Sequence, residues 1–216
     1  MINLNRALAH LQKDTKFRAH IKRLPRPTFD RRGADNKKTE PFRALAESIV
    51  YQQLSGKAAA TIFKRVTVLF SDSVLTPKKL LLLKDSQLRA AGLSMQKLSY
   101  LQDLARKFED GTINPKKFAT QSDEEIREHL IAVKGIGRWT ADMFLMFYLH
   151  RPDVFPTGDL GIQKGFQKLH NMKRLPKVLH MERLAKPWSP WRSVAARYLW
   201  LIQDTPVPSK GKSKKK

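Results

Sequence analysis

Asp159 is the residue whose setting first suggests chemistry. It ends the segment Val154-Phe-Pro-Thr-Gly-Asp159 and lies 22 residues after Gly137. The glycine before it permits a sharp chain entry, so the aspartate is expected at the start of a helix. A carboxylate fixed in a dry pocket would stabilise positive charge that develops on a reacting group. The alternative is that Asp159 only caps its helix, as most aspartates at helix starts do.

A second segment, Leu130-Ile-Ala-Val-Lys-Gly-Ile-Gly-Arg-Trp-Thr-Ala141, has two glycines around one apolar residue. Glycine adopts a positive φ at no steric cost, so the chain can reverse tightly between two helices. The amides of Gly135 and Gly137 and the start of the next helix would then point at a phosphate, helped by the helix dipole. The alternative is a loop that merely joins two helices. The same segment is expected to contact a nucleic acid backbone through Lys134, Ile136 and Thr140.

The elements that would position these residues are helical. Apolar residues recur at helical spacing along most of the chain, and no stretch alternates strongly enough to predict a strand. Pro41 suits a first helical position, Ser55 can cap the following helix, and residues 122–125 form a capping box. Further helices are predicted from Ser94 to Gly111, from Arg138 to Leu149 and from Trp191 to Gln203.

The charge of the chain indicates a polyanionic partner. Lys and Arg number 42 against 19 Asp and Glu, which gives a net charge of +23 over 216 residues. Only five of the 42 lie in the last seven positions, so the excess belongs to the folded body. A structural RNA-binding protein would carry the same excess, so charge alone indicates the class of partner and not the task.

Several kinds of site are excluded by composition. The chain has no cysteine, which rules out disulfides, Cys-ligated zinc and iron–sulfur clusters. Its six histidines are scattered, without the spacing of transition-metal ligands. No apolar run approaches about 18 residues, and the N-terminus lacks a secretory stretch, so we expect a soluble, intracellular protein.

Residues 205–216 read as a disordered basic tail. Its composition is typical of a nuclear-import signal, of an arm that touches DNA, or of a solvated chain end.

Four segments of the chain, taken in order, form a specific combination. They are Phe42-Arg-Ala-Leu-Ala-Glu-Ser-Ile-Val-Tyr-Gln-Gln-Leu-Ser55, Val133-Lys-Gly-Ile-Gly-Arg-Trp-Thr-Ala-Asp142, Phe155-Pro-Thr-Gly-Asp-Leu160 and Lys186-Pro-Trp-Ser-Pro-Trp-Arg-Ser193. In this order and spacing they resemble the helix-hairpin-helix DNA glycosylases, in particular the AlkA-type and fungal 3-methyladenine glycosylases. The resemblance covers about Pro41 to Trp200.

The resemblance implies roles for individual residues. Asp159 matches the catalytic acid, which stabilises an oxocarbenium-like sugar and assists a water at C1′. Trp139 stands at the position that matches a catalytic lysine in the bifunctional branch of the superfamily, so the resemblance implies monofunctional chemistry. The alternative for Trp139 is an aromatic core residue. Met95 falls where relatives place a wedge that fills the gap of an everted base, and its alternative is internal packing. The base pocket is expected to contain Ser55, Tyr51, Trp139 and Trp191, with Tyr198 a weaker candidate.

Ser55 departs from the pattern of some close fungal relatives, which carry His in the same Gln-Gln-Leu context. A serine reaches less far than a histidine and also serves as an ordinary helix N-cap. If that His matters, excision here would be weak or altered.

The resemblance implies an all-α, two-lobed fold of the HhH-GPD type with a cleft between the lobes, which Asp159 would face. We expect residues 43–150 to form the lobe with the hairpin, and residues 1–42 with 151–204 to form the other.

The function implied is hydrolysis of the N-glycosidic bond of alkylated purines, first 3-methyladenine or 7-methylguanine, in base excision repair. The alternative is a relative that binds damaged or abasic DNA with little or no excision. The partner would be double-stranded DNA, the protein a monomer, and its location the nucleus of a eukaryote or otherwise the cytoplasm. No cofactor is required, although a monovalent cation (Na or K) is expected on the main-chain carbonyls of Ile131, Val133 and Ile136.

Overall fold

A computed structural model describes residues 2–29, 40–70 and 72–205. The described residues form twelve α-helices and no strand, as the periodicity predicts. In chain order they are α1 Leu4–Leu11, α2 Thr15–Arg23, α3 Pro41–Tyr51, α4 Gly56–Val68, α5 Pro77–Leu82, α6 Asp85–Ala90, α7 Met95–Glu109, α8 Asp123–Ile131, α9 Arg138–Phe147, α10 Leu160–Leu169, α11 Val178–Ala185 and α12 Arg192–Asp204.

Helix starts are capped where the sequence predicts. Ser55 and Ser94 accept hydrogen bonds from backbone amides three residues later. Ser122 does the same, and Glu125 returns the interaction by accepting from the Ser122 amide, which completes the capping box. Such caps are local, so the sequence alone suffices to place them. None of the helices in the described ranges has the length and apolarity needed to cross a membrane.

The chain divides into two compact units. One comprises the chain up to Thr28 and from Arg151 onward, and the other runs from Phe29 to His150. Residues 40–42 thus join the second unit, whereas the sequence-based expectation placed them with the terminal segments. The reason is aromatic packing, because Phe42 meets Phe108 of α7 edge-on with ring centroids 5.2 Å apart. From residue 206 onward, the expected basic tail lies outside the described residues.

Aromatic side chains form the core of the first unit. The ring of Trp188 lies 4.8 Å from that of Phe17 and 5.5 Å from that of Phe166, measured between centroids. Its indole N–H donates to Asp14, so the one polar atom of this buried ring is satisfied. Helices α10 and α12 pack against each other in this unit.

A buried ion pair joins the two helices of the hairpin in the second unit. Arg127 of α8 donates through Nε to Asp142 of α9 at 2.9 Å, and both side chains are buried. Burial raises the pKa of the Asp142 carboxyl, and the contact with Arg127 opposes that rise. Because an unpaired buried charge is strongly unfavourable, the pair fixes the register of α8 against α9.

Candidate functional site

Asp159 is the N-cap of α10, in the first unit. Its Oδ1 accepts a hydrogen bond from the Ile162 amide at 2.8 Å. The same oxygen accepts a second hydrogen bond from the indole Nε1 of Trp200, on α12, at 2.9 Å. The capping role considered for Asp159 is therefore real, but it accounts for only one of these two donors. Its catalytic role stays a prediction.

Two glycines on one face of α10 permit this contact. A Cβ on Gly161 would lie 2.8 Å from Cδ1 of Trp200 and 3.1 Å from Oδ1 of Asp159. A Cβ on Gly165, one turn later, would lie 2.0 Å from the carbonyl oxygen of Leu199. Without side chains at these positions, the backbone of α12 approaches α10 closely and brings Trp200 to the carboxylate.

The structure gives different settings to the two candidate aromatics of α12. Trp191 is the N-cap of this helix and is partly exposed. Tyr198 is fully buried in the core, 6.4 Å from Phe17 between ring centroids. The suggestion that Tyr198 lines a base pocket is therefore wrong, because its ring has no accessible face.

The predicted hairpin lies between α8 and α9. Gly135 has φ +81°, and a Cβ there would fall 2.1 Å from the ring of Tyr100, so both conformation and space require glycine. Gly137 is different. Its φ is −95° and a Cβ would meet nothing within 4 Å, so the fold itself does not demand glycine at this position.

The hairpin presents a small set of backbone donors. Among the described residues, the amides of Gly135 and Gly137 donate to no acceptor, and no side chain caps α9. The amide of Lys134 instead donates to Asp103 at 2.8 Å, and that of Ile136 to the Val133 carbonyl. The two glycine amides and the first turn of α9 are thus the donors available to an anion.

A cavity of about 660 Å³ opens beside the hairpin, within the second unit. Tyr51 and Trp139, both predicted for a base pocket, line it together with Thr140. Trp139 is 53% exposed, so the alternative that it is a core residue is excluded. Ser55 lies outside the lining, exposed at the start of α4 with its Oγ accepting from the Ala58 amide.

Met95 is the first residue of α7 and is 63% exposed. The alternative that it packs internally is therefore excluded. Its role as a wedge stays a prediction.

Polar residues that the sequence analysis did not single out connect this cavity to the hairpin. Gln52 Nε2 donates to the carbonyl of Gly135 at 2.8 Å. Lys97 Nζ donates to the carbonyls of Val50 and Gln52 at 2.6 and 2.7 Å, and burial lowers the pKa of its ammonium. The next residue, Gln53, adopts φ +56° and lines the cavity. The doubled glutamine after α3 was the available sequence signal for Gln52 and Gln53.

Comparison with known proteins gives a consistent result. Residues 46–190 match the family model described as HhH-GPD superfamily base excision DNA repair protein. The chain is 36% identical over 165 residues to DNA-3-methyladenine glycosylase 1 of Schizosaccharomyces pombe, an alignment that covers 76% of this chain and 72% of that protein.

Two solved structures are also similar. A DNA-3-methyladenine glycosidase from Bacillus halodurans superposes with a TM-score of 0.80 at 34% identity, covering 91% of this chain and 88% of the other. A 3-methyladenine DNA glycosylase of S. pombe in complex with abasic DNA gives a TM-score of 0.71 at 33% identity, covering 90% and 95%.

Proposed function

Because the chain belongs to the HhH-GPD superfamily of base excision DNA repair proteins, we propose that it is a monofunctional DNA glycosylase. Its substrates are alkylated purines in double-stranded DNA, first 3-methyladenine and 7-methylguanine. The observation that carries this proposal is the carboxylate of Asp159, which two donors hold at the start of α10 within the segment that matches the family. A DNA substrate favours a location in the nucleus of a eukaryote, or otherwise in the cytoplasm.

The reaction is hydrolysis at C1′ of the deoxyribose. As the bond to the base breaks, positive charge develops on the sugar, and the Asp159 carboxylate stabilises it electrostatically. Water then supplies the hydroxyl at C1′ and its proton goes to the departing base or the carboxylate. Trp139 has no nucleophilic nitrogen, so no covalent sugar intermediate forms at that residue and the product is an abasic site.

The hairpin holds the DNA backbone. The amides of Gly135 and Gly137 and the dipole of α9 bind a phosphate, and the net charge of +23 adds attraction without sequence preference.

The target base is everted, because its glycosidic bond cannot be reached inside the stack. Met95 fills the gap left in the duplex. Tyr51 and Trp139, which line the same cavity of the second unit, offer aromatic faces to a base that alkylation has made cationic. A role for Trp191 in binding the base stays a prediction.

The hairpin carbonyls fit a monovalent cation. Those of Ile131 and Ile136 accept no hydrogen bond from the described residues, while that of Val133 already accepts from the Ile136 amide. Neutral oxygens of this kind would hold Na⁺ or K⁺, and the ion would add positive charge next to a bound phosphate. No other cofactor is proposed. In the described part of the chain, no group of three or more His, Asp or Glu side chains is arranged so that it could hold a metal ion.

A second candidate is a protein that binds damaged or abasic DNA with little excision. Ser55 favours it, because this residue caps α4 from an exposed position and contributes no side chain to the cavity.

One experiment separates the two candidates. Purified protein is incubated with methylated genomic DNA, and released bases are measured by chromatography, with Asp159→Asn as the control. Release by the wild type and not by the variant, with DNA affinity retained in both, supports excision. Tight binding to an abasic analogue without release supports the second candidate, and a Ser55→His variant that gains release would locate the deficit.

A further inference from the structure

The second hydrogen bond to Asp159 requires an unusual packing arrangement. An N-cap needs only the Ile162 amide, which Ser, Thr or Asn could equally engage. The Trp200 indole comes instead from another helix, 41 residues away in the chain. It reaches the carboxylate only because Gly161 leaves room for its ring and Gly165 lets the two backbones approach.

Both donors meet the same oxygen, Oδ1. Rotation of the carboxyl group about its Cβ–Cγ bond would break both hydrogen bonds together, so the orientation of the group is defined. The indole N–H can only donate a hydrogen bond, and its acceptor is Oδ1 of Asp159. The guanidinium of Arg197 lies 5.6 Å from the centroid of the Trp200 ring, a cation–π distance that helps to hold the ring.

We infer that Trp200 is a positioning residue for Asp159, and that Gly161 and Gly165 serve to bring it there. This inference rests on the proposed function. Misplacement of a catalytic group by about 1 Å lowers a rate severely, so a neighbour that restricts one carboxylate has a direct effect on turnover.

Trp200→Phe is the primary test, because it removes the indole N–H and keeps an apolar ring. We expect the single-turnover rate constant for base release to fall about tenfold, the effect of losing one hydrogen bond to a charged group. Affinity for DNA with an abasic analogue and the melting temperature should stay near the wild-type values. Tyr198→Phe is the matched control, since Tyr198 lies on the same helix but is buried in the core, and it should release base at the wild-type rate.

The combination with Asp159→Asn distinguishes positioning from a general structural role. If Trp200 acts through Asp159, then Trp200→Phe will add no further loss to the residual rate of Asp159→Asn. Gly161→Ala should reproduce the loss, because its Cβ would displace Trp200 and Asp159. Wild-type release from Trp200→Phe, or a loss that simply adds to that of Asp159→Asn, would overturn the inference while leaving the proposed function intact.

A spectroscopic readout does not depend on activity. The chain has four tryptophans, so its indole N–H resonances can be assigned by single Trp→Phe variants. The Trp200 resonance should move and exchange faster with solvent in Asp159→Ala. An unchanged resonance refutes the contact. If the resonance does move but the wild type releases no base, the proposed function is wrong. Trp200 then supports only the cap of α10, and its assignment as a positioning residue for excision is overturned as well.

Discussion

The side chain of Gln52 donates to the main-chain carbonyl of Gly135 at 2.8 Å, across 83 residues of sequence. Lys97 donates to the main-chain carbonyl of Gln52 itself. The start of α7, the turn after α3 and the hairpin are therefore joined by hydrogen bonds within one unit. Met95 and the hairpin, which we propose to contact DNA, are thus held in a fixed arrangement by Gln52 and Lys97, which need not touch it.

Gln52→Leu should weaken DNA binding without removing a phosphate contact. Loss of one hydrogen bond of about 1 kcal/mol loosens the hairpin and should raise the dissociation constant for an abasic analogue about fivefold. Fluorescence anisotropy over a range of salt concentrations measures the dissociation constant. The slope of its logarithm against the logarithm of the salt concentration should be unchanged. Gln102→Leu is the control, because Gln102 donates to Asp85 instead of to the hairpin. A reduced salt slope in Gln52→Leu would mean that Gln52 contributes to the ionic contacts with DNA.

The two hairpin glycines should respond differently to alanine. Gly135→Ala places a Cβ against Tyr100 at φ +81°, and we expect it to lower the free energy of unfolding by about 2–3 kcal/mol and to abolish tight DNA binding. Gly137→Ala meets no protein atom and should cost about 1 kcal/mol or less. Chemical denaturation gives both values.

DNA affinity adds a second result for this pair. If the DNA backbone approaches Gly137 closely, Gly137→Ala will bind more weakly despite its near-normal stability. Equal loss of stability in the two variants would show that φ at Gly135 does not constrain the hairpin.

The first unit should lose stability in mild acid through His170. Burial lowers the pKa of this imidazole to about 4, and the Lys16 ammonium, 2.8 Å from Nδ1, acts in the same direction. His180 also lowers it, while Asp14 opposes them. A histidine that is neutral when folded contributes stability above its unfolded pKa of about 6.5. That contribution is lost as pH falls from 6.5 towards 4.

Replacement of the imidazole tests this linkage. His170→Gln keeps an acceptor for Lys16 and cannot titrate, so its melting temperature should fall less between pH 7 and pH 5 than that of the wild type. His129→Gln serves as the comparison, because His129 belongs to the second unit and shares none of these neighbours. Parallel melting curves for the wild type and His170→Gln would rule the linkage out.

Local structure was predictable from sequence. The caps at Ser55, Ser94 and Ser122, and the placement of Asp159 at a helix start, depend on side chains that bond to amides two or three residues away. Helical periodicity then indicates the all-α class, and the Gly-Ile-Gly segment indicates a hairpin between two helices. The residue types within a few positions contain all the information that these features require.

Burial on the last helix was not predictable in the same way. Tyr198 looks like a pocket aromatic by type, but α12 is buried on most of its circumference, and Tyr198 faces the core. Composition shows that a helix carries aromatics and cannot show which of them other helices will cover.

The sequence by itself determined the helices, their caps, the hairpin and the acid that follows it, because each depends on neighbours along the chain. The tertiary structure alone decided that Trp200 meets Asp159 and that Gln52 meets Gly135. These contacts join residues 41 and 83 positions apart, and they form only where helix packing brings distant backbones together. Glycines such as Gly161 and Gly165 mark where such an approach is possible, but the partner becomes known only once the helices have packed.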